Sequence, residues 1–119
     1  MTYKYLLALA LAASTAARAD NADLDQMLEL NALAAAHARL CNEEPVAEQL
    51  KATTMMVLAL SGVPAQNVQL GSGKFADTMR QEVYAHRKAK DLQCASRVQA
   101  ALARLDDVRQ RSAQLRQPR

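Results

Sequence analysis

Only three glycines and three prolines punctuate the 119 residues, and this scarcity limits the chain more than any other feature. A β-sandwich or barrel needs a turn signal about every 8–12 residues, which so few breakers cannot supply. Long uninterrupted intervals remain, and alanine fills many of them, as in Leu33-Ala34-Ala35-Ala36. Half of the residues are hydrophobic, yet the aromatic ones are three Tyr and one Phe, with no Trp. The bulky core is therefore small. Collagen, low-complexity disorder and a disulfide-dense miniprotein are excluded on composition. The expectation is all-α: a small four-helix bundle.

The first residues read as separate from that domain. The apolar run Tyr5–Ala13 follows Lys4 and is too short to span a bilayer as a stable helix. Ala17-Arg18-Ala19 then offers the small-x-small pattern of a signal-peptidase site. The sequence predicts a cleavable signal peptide over residues 1–19, cut between Ala19 and Asp20, a helical domain over 20–108 and a basic, frayed tail over 109–119. The expected product is exported to the periplasm, soluble and non-lipidated, since no cysteine adjoins the cleavage point. Nothing later in the chain is long and apolar enough for stable membrane insertion. Losing Lys4 and Arg18 takes the basic count from 15 to 13 against 12 acids, so the net charge drops from +3 to +1. Nucleic-acid binding needs clustered, uncompensated cations, and none is expected. Arg109, Arg111, Arg116 and Arg119 follow the last acid, Asp107, and suit a solvated helix end opposing the helix dipole.

Four helices are expected beyond the signal. Asn21 or Asp23 can cap the first, and Leu24, Met27, Leu28, Ala35 and Ala38 line one stripe of it. Leu30, Leu33, Leu40 and Cys41 line a second stripe, so this helix is apolar around most of its circumference and belongs at the centre of a bundle. Asn42-Glu43-Glu44-Pro45 ends it. The second helix covers about Pro45 to Leu60, with Val46, Ala47, Leu50, Met55, Val57 and Leu58 as core candidates. Gly62 and Pro64 stop it. A connector follows to Gly73, with Val68 and Leu70 tucked beneath it. Helix three starts near Lys74, carrying Phe75, Met79 and Val83 on one face. Helix four starts near Asp91, with Cys94, Val98, Ala101, Leu105, Val108 and Leu115 close to heptad spacing and Leu102 beside them. Ala85 to Asp91 holds no breaker, so one long helix from Lys74 onward also fits.

Two cysteines in an exported chain are expected to pair as a Cys41–Cys94 disulfide. A redox-active dithiol is disfavoured because no Cys-x-x-Cys occurs. His37 and His86 are read as isolated, so no metal centre is expected, and no cofactor. Gly71-Ser72-Gly73-Lys74 resembles a phosphate loop only faintly, because Val68 and Phe75 occupy positions that need Gly and Ser or Thr. It reads as a flexible turn. His37 lies on an apolar stripe without a serine and an orienting acid, and Glu43 and Glu44 adjoin a turn. The expectation is a binding protein with no catalytic residues. Its apolar surplus, including Leu33, Met55, Met56 and Leu58, is read as a partner-binding face for an amphipathic helix or a second copy of the chain.

The stretch Leu30-Asn31-Ala32-Leu33-Ala34-Ala35-Ala36-His37-Ala38-Arg39-Leu40-Cys41-Asn42 resembles the first helix of type II secretion pilotins of the PulS/OutS type. Cys94-Ala95-Ser96-Arg97, with apolar residues through Leu105, is similar to that family's second cysteine and last helix. The separation of 53 residues between the cysteines is of the family's order. Over residues 22–106 the resemblance implies a four-helix domain with one disulfide. It also implies a groove that binds the C-terminal segment of a secretin and assists its delivery to the outer membrane. The chain lacks the lipidated cysteine usual among pilotins, which marks a non-lipidated relative. Val63-Pro64 stands where an aromatic residue often follows the family's second helix. Immunity proteins that neutralise secreted cell-wall hydrolase toxins share the signal, size and disulfide, as do small periplasmic chaperones.

Overall fold

The computed structural model describes residues 21–118 in full and, of residues 2–20, the helix alone. The expected signal peptide and its cleavage point at Ala19 and Asp20 lie outside the fully described residues. The described residues form four helices: α1 (Thr2–Leu40), α2 (Glu44–Leu60), α3 (Ala65–His86) and α4 (Cys94–Arg116). There is no strand among the described residues. None of the described helices is long and apolar enough to cross a membrane.

The first two helices end for the same physical reason. Asn42 (φ 63°) and Gly62 (φ 87°) take the left-handed conformation just past α1 and α2. This turns the Glu43 N–H back to the Ala38 carbonyl (2.8 Å) and the Val63 N–H back to that of Leu58 (3.1 Å), capping otherwise orphaned carbonyls. Pro45 lies in the first turn of α2, where its missing N–H is harmless.

α1 touches all three other helices, as expected of a helix apolar on most sides. Ala32, Ala35, Ala36 and Ala38 are fully buried, and their small side chains let neighbouring backbones approach closely. α1 and α2 form a central pair; α3 packs on one side of it and α4 on the other, without contact between α3 and α4. Leu24, Met27, Leu28, Leu50, Val57, Phe75, Leu105 and Val108 supply most of the buried bulk.

A polar contact is sealed inside this core. Asn31 of α1 is fully buried; its Nδ2 donates to Thr54 Oγ1 (2.9 Å), also fully buried, and its Oδ1 accepts from Arg104 Nε (2.8 Å). α1, α2 and α4 thus share one register point, with no buried side-chain polar atom left unpaired among the described residues.

The disulfide joins Cys41, just beyond α1, to Cys94, the first residue of α4, with 5.5 Å between Cα atoms. It closes a loop of about 54 residues, which in the chain-entropy account contributes about 4 kcal/mol.

Three boundaries differ from expectation. α3 starts at Ala65, so the stretch expected to be a connector is helix, and Gly71-Ser72-Gly73-Lys74 lies within it. Glycine is normally unfavourable there by about 1 kcal/mol. At Gly71 the bare backbone is useful, because a Cβ would stand 3.1 Å from Leu58 Cδ1 and 3.2 Å from Leu28 Cδ1. Close packing of α3 overrides propensity. Val68 packs against the core as expected, whereas Leu70 is 73% exposed. Helices three and four are separate, and α4 starts at Cys94, after a link in which Asp91 Oδ1 accepts from the Gln93 N–H (3.0 Å) and Gln93 is left-handed. α4 also continues through Arg116, so residues 109–116 belong to a packed helix. Ser112 holds a buried heptad position, and Arg111 pairs with Asp23 of α1 (2.7 Å).

Candidate functional site

Two places combine accessible surface with a distinct chemistry. The first is a trough of about 1040 Å³ at the end of the bundle where α2 turns into α3. Leu24 and Leu28 of α1 and Leu58 of α2 form its buried floor. Leu60, Leu70 and Leu115, from three different helices, stand at its rim with exposures of 39%, 73% and 40%. Asp25 lies on the α1 side, and Lys74 and Arg111 contribute positive charge from α3 and α4. The α2–α3 turn sets this shape. Gly62 and Pro64 reverse the chain sharply, and the close approach at Gly71 brings α3 over Leu28 and Leu58.

Of the expected partner-binding residues Leu33, Met55, Met56 and Leu58, only Leu58 lines the trough. Met55 packs partly buried against the core. Met56, 37% exposed, points to α4, where its Sδ accepts from Ser112 Oγ (3.2 Å) and meets Arg116. Adjacent helical residues diverge by about 100°, so the methionine pair cannot serve one surface. Leu33 is half-buried elsewhere on α1. The rim leucines come from segments far apart in sequence, and no single periodicity links them.

The second place lies at the opposite end of the bundle, near the C-terminus of α1. His37 of α1 and His86 of α3 face the same carboxylate: His37 Nε2 is 3.2 Å from Glu82 Oε2, and His86 Nε2 is 3.1 Å from Glu82 Oε1. The imidazoles meet edge to face, with centroids 5.9 Å apart and planes at 87°. The three side chains are between 21% and 31% exposed. Burial and, secondarily, the nearby Arg97 charge of α4 lower the pKa of His37 below its ordinary 6.5, against the hydrogen bond and charge of Glu82, which raise it.

The histidines are therefore not isolated, as the sequence had suggested. Glu82 stands four residues before His86 on one face of α3, and the α1–α3 packing brings His37 to the pair. Cys41 and Cys94 are both in the disulfide, so neither is a free ligand or nucleophile among the described residues.

No protein-family model, curated protein or solved structure matches the chain.

Proposed function

We propose that this chain is an exported helical binding protein whose trough at the α2–α3 turn takes an amphipathic helix of a partner protein. On the pilotin resemblance of residues 22–106, that partner is the C-terminal segment of a type II secretion secretin, and the site of action is the periplasm.

The observation that carries this reading is the convergence of Leu60, Leu70 and Leu115 over a floor of Leu24, Leu28 and Leu58. Solvent-facing leucines concentrated around one concavity mark interaction surfaces more often than scattered ones do. An all-helical surface offers side chains and no strand edge, which favours a helix laid into the trough by residues at i, i+3, i+4 and i+7. Asp25 on one wall and Lys74 on another give such a helix a preferred direction.

The test is fluorescence anisotropy with a labelled synthetic peptide covering the C-terminal segment of the secretin encoded in the same genome. Saturable binding is expected, weakened at least about tenfold by Leu70→Glu and by Leu115→Glu, the loss of an interface anchor. Leu102→Glu, on an exposed part of α4 outside the trough, leaves affinity unchanged. Absence of saturable binding, or binding by the two trough variants as tight as by the parent, rejects the secretin reading. Trough-dependent binding of a secreted cell-wall hydrolase would replace the partner.

A further inference from the structure

We propose that His37, Glu82 and His86 bind one divalent transition-metal ion, with zinc the natural fit, and that the ion clamps α3 onto α1.

The donor set is two imidazole nitrogens and one carboxylate, with every ligand atom within 4.8 Å of the others. Zinc with bonds of about 2.0–2.1 Å in tetrahedral geometry sets neighbouring ligand atoms about 3.3–3.4 Å apart. The two histidine–glutamate separations, 3.2 Å to Oε2 and 3.1 Å to Oε1, each have the length of one such edge, on different oxygens of the one carboxylate. Closing the set around one ion requires the imidazoles to swing toward each other about the shared carboxylate, within a cluster already no wider than 4.8 Å. Two ligands one turn apart on α3 and a third from α1 put the donors on regular helices, which hold geometry better than loops do. Partial exposure leaves a path for the ion and room for water at a fourth position. Imidazole and carboxylate ligands together suit zinc and its first-row neighbours, whereas calcium and magnesium prefer all-oxygen sites.

The site also lies where a clamp would act. The disulfide ties the end of α1 to α4, and α3 has no such link. Phe75 is the one fully buried residue of α3, and α3 makes no contact with α4. An ion held by His37 on one side and by Glu82 and His86 on the other joins the least anchored helix to the central one. Arg97 is the nearby charge that opposes a cation, and it sets a limit on affinity that a single substitution can lift.

The test uses the oxidised protein without an affinity tag, titrated with zinc chloride by calorimetry and followed by thermal unfolding. One ion per chain is expected. His37→Gln and His86→Gln each weaken binding at least about tenfold, and Arg97→Gln strengthens it. Zinc at about a hundredfold above the parent's Kd raises Tm by about 10 °C in the parent protein and by no more than about half of that in either histidine variant. Cobalt(II) gives an independent readout, a tetrahedral visible spectrum lost in His86→Gln. Zinc that binds no tighter than about 1 mM, or that binds the histidine variants as well as the parent, overturns the proposal and leaves a hydrogen-bonded cluster. Because the trough lies at the other end of the bundle, this outcome and the peptide titration fail or succeed separately.

Discussion

Two polar clusters sit against α1 six residues apart, about 240° around the helix at 3.6 residues per turn, and they do opposite things. Asn31 faces α2 and α4, with both amide atoms engaged by Thr54 and Arg104. His37 faces α3, in a cluster between a fifth and a third exposed to solvent. The first cluster is closed: both amide atoms have a partner, and Asn31 and Thr54 are sealed from solvent, out of reach of a ligand. The second is open, and its donors are those that metal ions select. Burial alone does not distinguish a structural polar group from a functional one; the difference lies in whether its partners exhaust it.

The largest test of this contrast removes the bridge beside the open cluster. Cys41→Ser with Cys94→Ser is expected to lower unfolding free energy by about 4 kcal/mol, a large share of the about 5–15 kcal/mol of an ordinary domain. Urea denaturation of both forms checks it. Cys41 lies one turn beyond His37, so zinc affinity is expected to fall with stability. An unchanged zinc Kd would show that α1–α3 packing alone holds the site.

Next in size is Asn31→Ala, which leaves the Thr54 hydroxyl buried without its partner and strips Arg104 of its acceptor. A loss of about 2–3 kcal/mol is expected, read as a lower urea midpoint, with zinc binding unaltered. His37→Gln reverses the pattern, losing zinc while retaining metal-free stability. If the two substitutions lowered stability equally, the distinction between a closed and an open cluster would fail.

The two clusters were unequally legible in the sequence, and the reason is distance along the chain. Helix ends announce themselves locally: Gly62 with Pro64, and Asn42 before Pro45, are signals within a few residues. The disulfide followed from two cysteines and an expected oxidising compartment. Glu82 and His86 carry an i, i+4 signal in the sequence that could have been found, but His37 joins them only through packing across 45 residues. Asn31 is a lone amide inside an apolar run, and only the positions of Thr54 and Arg104 show why it is tolerated. The start of α3 was hidden by Gly71 and Gly73, whose poor helix propensity is outweighed at Gly71 by contact with Leu28 and Leu58. Ser112 concealed the end of α4, being a polar residue at a buried heptad position. The trough was the least legible feature, since its rim draws one leucine from each of three helices.

A smaller effect concerns Arg111 and Asp23, which join the end of α4 to the start of the described part of α1. Both are substantially exposed, so Arg111→Ala is expected to cost no more than about 1 kcal/mol, and the loss shrinks further in high salt. Thermal unfolding at low and high ionic strength measures it. A larger, salt-insensitive loss would mean that Arg111, whose Nη1 also donates to Met27 Sδ at 3.7 Å, acts through contacts with the core.

The finest test uses protons on the open cluster, with a chelator present to exclude metal. Burial, and then Arg97, lower the pKa of His37 in the folded state below 6.5, while the unfolded chain takes up its proton near 6.5. Just below pH 6.5 the unfolded chain binds more protons at this position, so the His37 contribution makes stability rise with pH. It is fully present above pH 6.5 and is lost as pH falls toward the lowered folded-state value, below which both states are protonated and the slope vanishes. Glu82 and His86 of α3 and Arg97 of α4 face the ring, so the comparison must hold them constant. Urea midpoints at pH 5.5 and 7.5 are expected to differ more in the parent than in His37→Gln. Equal differences would mean that the carboxylate compensates the ring fully, making this cluster as closed to protons as the Asn31 cluster is to ligands.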